Sequence, residues 1–376
     1  MLRRQMIVAR AWTGRVMAST VPAPGGRRTA LADGQRKVPR GLARAIAKRV
    51  KSVAAGHLKE AGAKAYAASG APSYNSALAA TAFMAHRSPA VYAATERVLD
   101  EMVTKLPSDI LADVRSSIDF GAGSCASTWA LNQVLPQAMD EGLVVVEPSP
   151  HMMDAGLATL PDDAALHSRI SARVTLPSTP ADLVLASYVL CDLPSDNLLA
   201  PTIDQLWAAA GKVLVVVEPG TPQGYARIMA VRDTVIASGS GSVVAPCPHS
   251  GACPLASERD DRYAKSWCHF ALAYERTPIQ RALKSSATSF SREKFSYLIA
   301  AKTGAEIDAT MVADTTASTS WSKIISPPLK RGKHVIMDTC APTGDIARLT
   351  VTKGKSGRPA YRHARKARWG DDWLES

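Results

Sequence analysis

The stretch "SSIDFGAGSCAS", residues 116–127, decides the fold. A short apolar strand ends in a glycine turn, and "STWALNQVLPQAM" (residues 127–139) then reads as a helix. The same rhythm continues downstream. "GLVVVEPS" is strand-like, "HMMDAGLATL" helical, "ADLVLASYVLCDLP" a strand and loop, "NLLAPTIDQLWAAA" helical and "GKVLVVVEPG" a strand. Continuous apolar strands alternating with helices mark a parallel sheet covered on both faces. Residues 110–240 are therefore expected to form a doubly wound, Rossmann-like α/β domain.

The turn itself carries chemistry. Asp119, Gly121 and Gly123 sit where strand passes into helix, so the backbone there can adopt positive φ and approach a ligand closely. Glu147 ends the second strand, where an acid accepts the hydroxyls of a ribose. Together they predict an adenosine-type ligand at the carboxyl ends of the strands. Three features favour S-adenosylmethionine over a dinucleotide. Asp119 precedes the first glycine, a helical segment precedes the domain, and Ala126 replaces the last glycine of the dinucleotide fingerprint. Cys125 stands where the usual methyltransferase turn has its third glycine, and no catalytic base is visible.

Outside this core, residues 38–109 read as a helical layer rich in Ala, Arg and Leu, with Pro72 and Pro89 as breaks or first turns. Residues 241–345 form a Cys-rich region with strands. Within it, "YERTPIQRALK" and "REKFSYLIAAKTG" predict a helix or two, and alternation after residue 320 predicts antiparallel strands. Residues 346–376 are a basic tail, in part helical. No repeat is evident, and no apolar run approaches the length of a transmembrane helix.

The chain has 376 residues and a net charge of +12, unevenly placed. Residues 1–51 hold 13 Lys/Arg against one acid, and residues 348–368 hold eight and none. The rest is acidic on balance. Basic ends on such a body point to a polyanionic partner, most simply RNA, with a solvated tail as the plain alternative. Residues 1–37, with six arginines before the first acid, read as a basic targeting or disordered segment of the mitochondrial transit type.

Six cysteines remain: Cys125, Cys191, Cys247, Cys253, Cys268 and Cys340. Without a secretory signal a disulfide framework is disfavoured. Five residues separate Cys247 from Cys253, 14 separate Cys253 from Cys268 and 71 separate Cys268 from Cys340. Four thiols suit Zn²⁺ or an iron–sulfur cluster, and His249 and His269 keep a mixed zinc site open. The spacing lacks the tight pairs of a zinc ribbon, and four unrelated buried cysteines stay in play.

"VVAPCPHSGACPL", "WCHFALAYER", "EKFSYLIAAKTG", "GKHVIMDTCAPTGDIARLTV" and "YRHARKARWGDDW" resemble, in order, the mitochondrial small-ribosomal-subunit methyltransferase-like family, which has bacterial members. "IDFGAGSCASTWAL" and "VVVEPSPHMMDAG" resemble its class I methyltransferase domain. The resemblance covers residues 72–373. It implies an assembly factor of the small ribosomal subunit in the mitochondrial matrix, or in a bacterial-type cytoplasm. The implied partners are small-subunit rRNA and ribosomal proteins, not membrane or DNA. It also implies a [4Fe–4S] cluster on Cys247, Cys253, Cys268 and Cys340, and a methyl-donor pocket around Asp119, Gly121, Gly123 and Glu147. Whether members methylate rRNA or only bind it is left open by the resemblance. Arg358, Arg362, Arg365, Lys366 and Arg368 are the expected phosphate contacts, with Tyr361 and Trp369 either stacking on bases or packed in the core.

Overall fold

The computed structural model describes residues 35–67, 74–256, 263, 265–284, 288–302 and 321–374. The targeting segment expected over residues 1–37 lies outside the described residues up to residue 34.

Four helices lead: Arg40–Val50, Ala55–Ala67, Ala77–His86 and Ser88–Lys105. The first buries Leu42, Ile46 and Val50, one side of a 3.6-residue period. The third starts where Ser76 Oγ accepts the Ala79 N–H at 3.1 Å. The fourth has Pro89 in its first turn, where a missing N–H costs nothing. It is fixed to the body by Ser88 Oγ donating to Ser124 Oγ at 2.6 Å and Thr95 Oγ1 donating to Ser187 Oγ at 3.2 Å.

Among the described residues, the main sheet has nine strands. β1 is Gln35–Arg36, β2 Ser116–Phe120, β3 Gly142–Val146, β4 Ile170–Arg173 and β5 Ala181–Ser187. β6 is Ala210–Pro219, β7 Gly241–Ala245, β8 Phe270–Glu275 and β9 Phe290–Lys302. Their order is β1-β8-β9-β6-β5-β2-β3-β4, with β7 also paired to β9. β2 to β6 pair in parallel. The chain leaves β2 towards β3 on one side and returns through β5 on the other. The ends of β2 and β5 are thus the switch point at which such sheets bind ligands. The expected doubly wound, Rossmann-like α/β fold is present among the described residues, with a helical layer before it and a strand extension after it.

One expected element differs. "REKFSYLIAAKTG" reads as helix, yet residues 290–302 form the long strand β9, antiparallel to β6, β7 and β8. Residues 295–301 are buried on both faces, so the strand has no polar side to reveal a period of two. The neighbouring helix, Pro278–Lys284, does form. Through β9 the main sheet runs on past residue 240 into the Cys-rich region.

A second, antiparallel sheet follows: β10 Trp321–Ile324, β11 Leu329–Lys330, β12 His334–Cys340, β13 Ile346–Thr352 and β14 Asp372–Leu374. The helix Lys353–Lys366 lies on it, its two parts joined at Gly357 with φ 79°. Tyr361, Ala364 and Ala367 pack there against Ile324, Val335 and Trp373. Among the described residues, no helix is long and apolar enough to cross a membrane.

Candidate functional site

Three segments bring four cysteines to one cavity. Cys247 and Cys253 lie in the loop after β7, Cys268 precedes β8, and Cys340 ends β12. All four line the same cavity, with Tyr225, Arg232, His249 and Lys323 also on its wall. Cys125 is in the glycine turn and Cys191 in the turn after β5, so neither belongs to this group. Three of these thiols are shifted upward. Burial, and then Cys247, Cys253 and Cys340, pushes Cys268 well above the usual thiol range. Burial, Cys247 and Cys253 push Cys340 up to about 12. Burial also raises Cys247, against the opposing pull of Arg232. Four thiolates are therefore unfavourable here unless a cationic core neutralises them, which is what a metal centre does. Among the described residues no group of three or more Cys, His, Asp or Glu is gathered closely enough to hold a single ion.

Polar groups surround these thiols. Tyr225 Oη donates to Cys253 Sγ at 3.3 Å, and His249 Nε2 lies 3.3 Å from Cys340 Sγ. Arg232 Nη2 donates to the carbonyls of His249 at 3.1 Å and Gly251 at 2.6 Å, both within the loop that carries Cys247 and Cys253. Tyr225 and Arg232 come from the helix Pro222–Ala237, two turns apart on one side. Sequence reading missed them, because nothing in "YARIMAVRD" signals a contact 20 residues away. His269 turns away from the cavity wall: its Nδ1 pairs with the Trp267 carbonyl at 2.9 Å and its ring stacks on Trp267.

The glycine turn forms a second candidate site, at the switch point. Gly121 and Gly123 have φ of 66° and 51°, as the turn requires. Cys125 adopts φ 54°, so the backbone keeps the path a third glycine would give it. Its thiol lies against Gly156, where an added Cβ would stand 2.8 Å from Cys125 Sγ and 2.4 Å from the Gly123 carbonyl. Cys125 is thus accommodated by a glycine on the facing helix.

Asp119 does not open onto this turn. It is buried and accepts from Ser127 Oγ at 2.7 Å and Thr128 Oγ1 at 2.6 Å, tying β2 to the helix that follows. Burial raises it to about 6 in spite of these hydroxyls. Glu147 does reach the turn. Its Oε2 accepts the Gly123 N–H at 3.0 Å and its Oε1 the Ser149 N–H at 2.8 Å. Each oxygen keeps a further lone pair, so the carboxylate can still accept from a ribose hydroxyl.

Beyond the predicted residues, Tyr188 at the tip of β5 has φ 58°, a sparsely populated conformation for a bulky side chain. It is held by its hydroxyl donating to Glu293 Oε1 at 3.0 Å, and Arg87 grips the same carboxylate. Glu218 accepts the N–H groups of Val189, Leu190 and Cys191 and so shapes the loop at the switch point.

The basic tail forms a surface. Arg358, Arg362, Arg365 and Lys366 are exposed, while Arg368 is half-buried. Arg365 Nη1 donates to the Arg331 carbonyl at 2.9 Å, which joins the helix to the β11–β12 turn. There Lys330, Arg331 and Lys333 are also exposed, an extension that "PPLKRGKH" signals only in hindsight. Partial burial, then Arg368 and Arg365, lowers Lys330 from the usual lysine value. Tyr361 is buried with its hydroxyl on the Gly332 carbonyl at 3.2 Å, and Trp369 packs against the main core. Both are packing residues.

The mitochondrial ribosome assembly protein METTL17 of Homo sapiens is 29% identical over 303 residues, 77% of this chain and 61% of the relative. The mitochondrial ribosome assembly protein RSM22 of Saccharomyces cerevisiae is 30% identical over 182 residues, 36% of this chain and 29% of the relative. The chain thus spans less than two thirds of the length of either. Among solved structures, a precorrin-6y C5,15-methyltransferase of Geobacter metallireducens aligns with a TM-score of 0.31 and 13% identity, over 52% of this chain and 84% of that one. Residues 77–374 match the family described as mitochondrial small ribosomal subunit Rsm22, a span that takes in the last two helices of the helical layer, the glycine turn, all four cavity cysteines and the basic helix, and the chain belongs to that family.

Proposed function

We propose that this chain is an assembly factor of the mitochondrial small ribosomal subunit, working in the matrix, that binds rRNA and holds a [4Fe–4S] cluster. One observation carries the cluster reading: Cys247, Cys253, Cys268 and Cys340 come from three segments to the wall of one cavity. A single tetrahedral zinc, with Zn–S of about 2.3 Å, needs its sulfurs roughly 3.8 Å apart. Four thiolates from three segments suit either this ion or an iron–sulfur cluster, and the resemblance of the cysteine motifs favours the cluster. The cluster would supply a covalent tie and offset part of the charge of four thiolates. The chain's own part is to bring the loop after β7, the start of β8 and the end of β12 into register. The relatives' names, both ribosome assembly proteins of mitochondria, support the cellular role.

The rRNA contact is assigned to the face of Arg358, Arg362, Arg365 and Lys366, bordered by Arg368, with Lys330, Arg331 and Lys333 alongside. Phosphates meet such a face without base readout, which suits an rRNA helix or loop held during assembly. Anaerobic purification of the full chain with iron, sulfide and zinc analysis tests the centre. About four irons and four sulfides per chain are expected. Stoichiometric zinc without iron overturns the reading.

A second reading is methyl transfer to rRNA, favoured by Glu147 standing against Gly123 at the switch point. S-adenosylmethionine would supply the methyl group, with Gly121, Gly123 and Glu147 to hold it. Calorimetry with S-adenosylmethionine tests this, and no heat of binding removes it.

A further inference from the structure

The wall of the cysteine cavity contains a buried charge with no matching carboxylate among the described residues. Arg232 has a side chain only 3% exposed, and its Nε has no hydrogen-bond partner among the described residues. Among the described residues its ion-pair partner is Asp233, 3.8 Å away with a side chain 69% exposed, so water screens that pair. The two loop carbonyls on Nη2 solvate one corner of the guanidinium but carry no net charge. Lys323, the other cation on the wall, is different. It is neutralised by Glu101 at 2.7 Å and Asp372 at 2.6 Å. An arginine buried without an anion is strongly unfavourable, so an anion is expected where Arg232 faces the cavity.

We infer that Arg232 is the internal counter-cation of an anionic four-thiolate centre on Cys247, Cys253, Cys268 and Cys340. The inference rests on the cluster reading and deepens it. Four thiolates around a doubly charged iron–sulfur core leave a net dianion, and the group's own charge belongs in the local balance. One guanidinium then does two things. Its charge offsets part of that dianion, and its Nη2 fixes the loop carbonyls between Cys247 and Cys253. Arg232 is a positioning residue by this account, because it acts through the loop and the field and not as a ligand. Its charge lowers the energy of adding an electron to the centre, so the reduction potential depends on it.

The test uses the full chain, purified anaerobically, as wild type, Arg232→Met and Arg232→Lys. Iron and sulfide content, loss of the visible absorbance band under a chelator, and the midpoint potential are read on each. Arg232→Met is expected to shift the potential to lower values and to speed loss to the chelator. Arg232→Lys keeps the charge but not the planar fork. It is expected to return the potential towards wild type while chelator loss stays fast. If the Met variant retains no cluster, recovery of iron by the Lys variant supports the inference, and equal loss in both overturns it. A wild-type cluster whose potential is unmoved by Arg232→Met overturns this inference alone. A wild-type chain without iron and sulfide overturns the cluster reading and the inference with it.

Discussion

Lys323 Nζ lies 2.7 Å from Glu101 Oε1, and neither side chain is more than 5% exposed. The pair joins β10 of the second sheet to the helix Ser88–Lys105 of the helical layer. Arg97 and Tyr297 hold the other Glu101 oxygen at 2.7 and 2.8 Å. Burial opposes the Glu101 charge, yet Lys323 and Arg97 keep the carboxyl well below its usual range. Removing one partner of such a buried pair strands the other. Glu101→Gln and Lys323→Met should each cost about 3–5 kcal/mol. Denaturant unfolding of the full chain checks this, and a cost under about 1 kcal/mol would mean the pair is not a tie.

Glu218 predicts the pH dependence of stability. It is fully buried, and burial raises it to about 7 despite the Leu190 and Cys191 N–H groups that favour its charge. A carboxyl whose folded value is raised binds its proton more tightly folded than unfolded. Its contribution is therefore greatest at low pH and falls as pH rises from the unfolded value of 4.5 towards 7. The fall amounts to roughly 3 kcal/mol over that window. Glu218→Gln should flatten it in urea melts at pH 5 and pH 7, and an unchanged slope refutes the assignment.

Much of the fold was legible because parallel strands write themselves as unbroken apolar runs between helices. "GLVVVEPS" and "GKVLVVVEPG" leave no other reading, and the turn at Gly121 follows from them. β9 was not legible for the same physical reason. Buried on both faces, residues 295–301 lose the alternation that tells strand from helix. The cysteine cavity lay between these cases. The residue types were plain, but their spacing is irregular because Cys340 arrives through β12, in register with Lys323 of β10. Lys323 and Arg232 gave no signal at all. A buried cation is recognisable only once its partners, or their absence, are known.

Gly156 is predicted to be intolerant of any side chain. A Cβ there would meet the Gly123 carbonyl at 2.4 Å and Cys125 Sγ at 2.8 Å, and one of those is backbone. Gly156→Ala should cost about 1–3 kcal/mol by forcing the turn aside. If the turn holds S-adenosylmethionine, the same variant should weaken its binding, as read by calorimetry. Wild-type stability in Gly156→Ala would show that the turn moves freely.

The basic face makes the last prediction. Arg358, Arg362, Arg365 and Lys366 are exposed on one helix with no acid among its 14 residues. Changing all four to Glu removes no core contact, since Tyr361, Ala364 and Ala367 carry the packing. Far-ultraviolet circular dichroism should therefore match wild type. Each lost phosphate contact lowers the slope of log K against log salt by about 0.7–0.9. Four contacts would lower it by roughly 3, measured by titrating a small-subunit rRNA fragment at several salt concentrations. Lys330→Glu and Lys333→Glu in the adjoining turn should lower it further, because Arg365 on the Arg331 carbonyl makes the two segments one surface. A slope that stays at the wild-type value after all six changes would place the rRNA contact elsewhere on the protein.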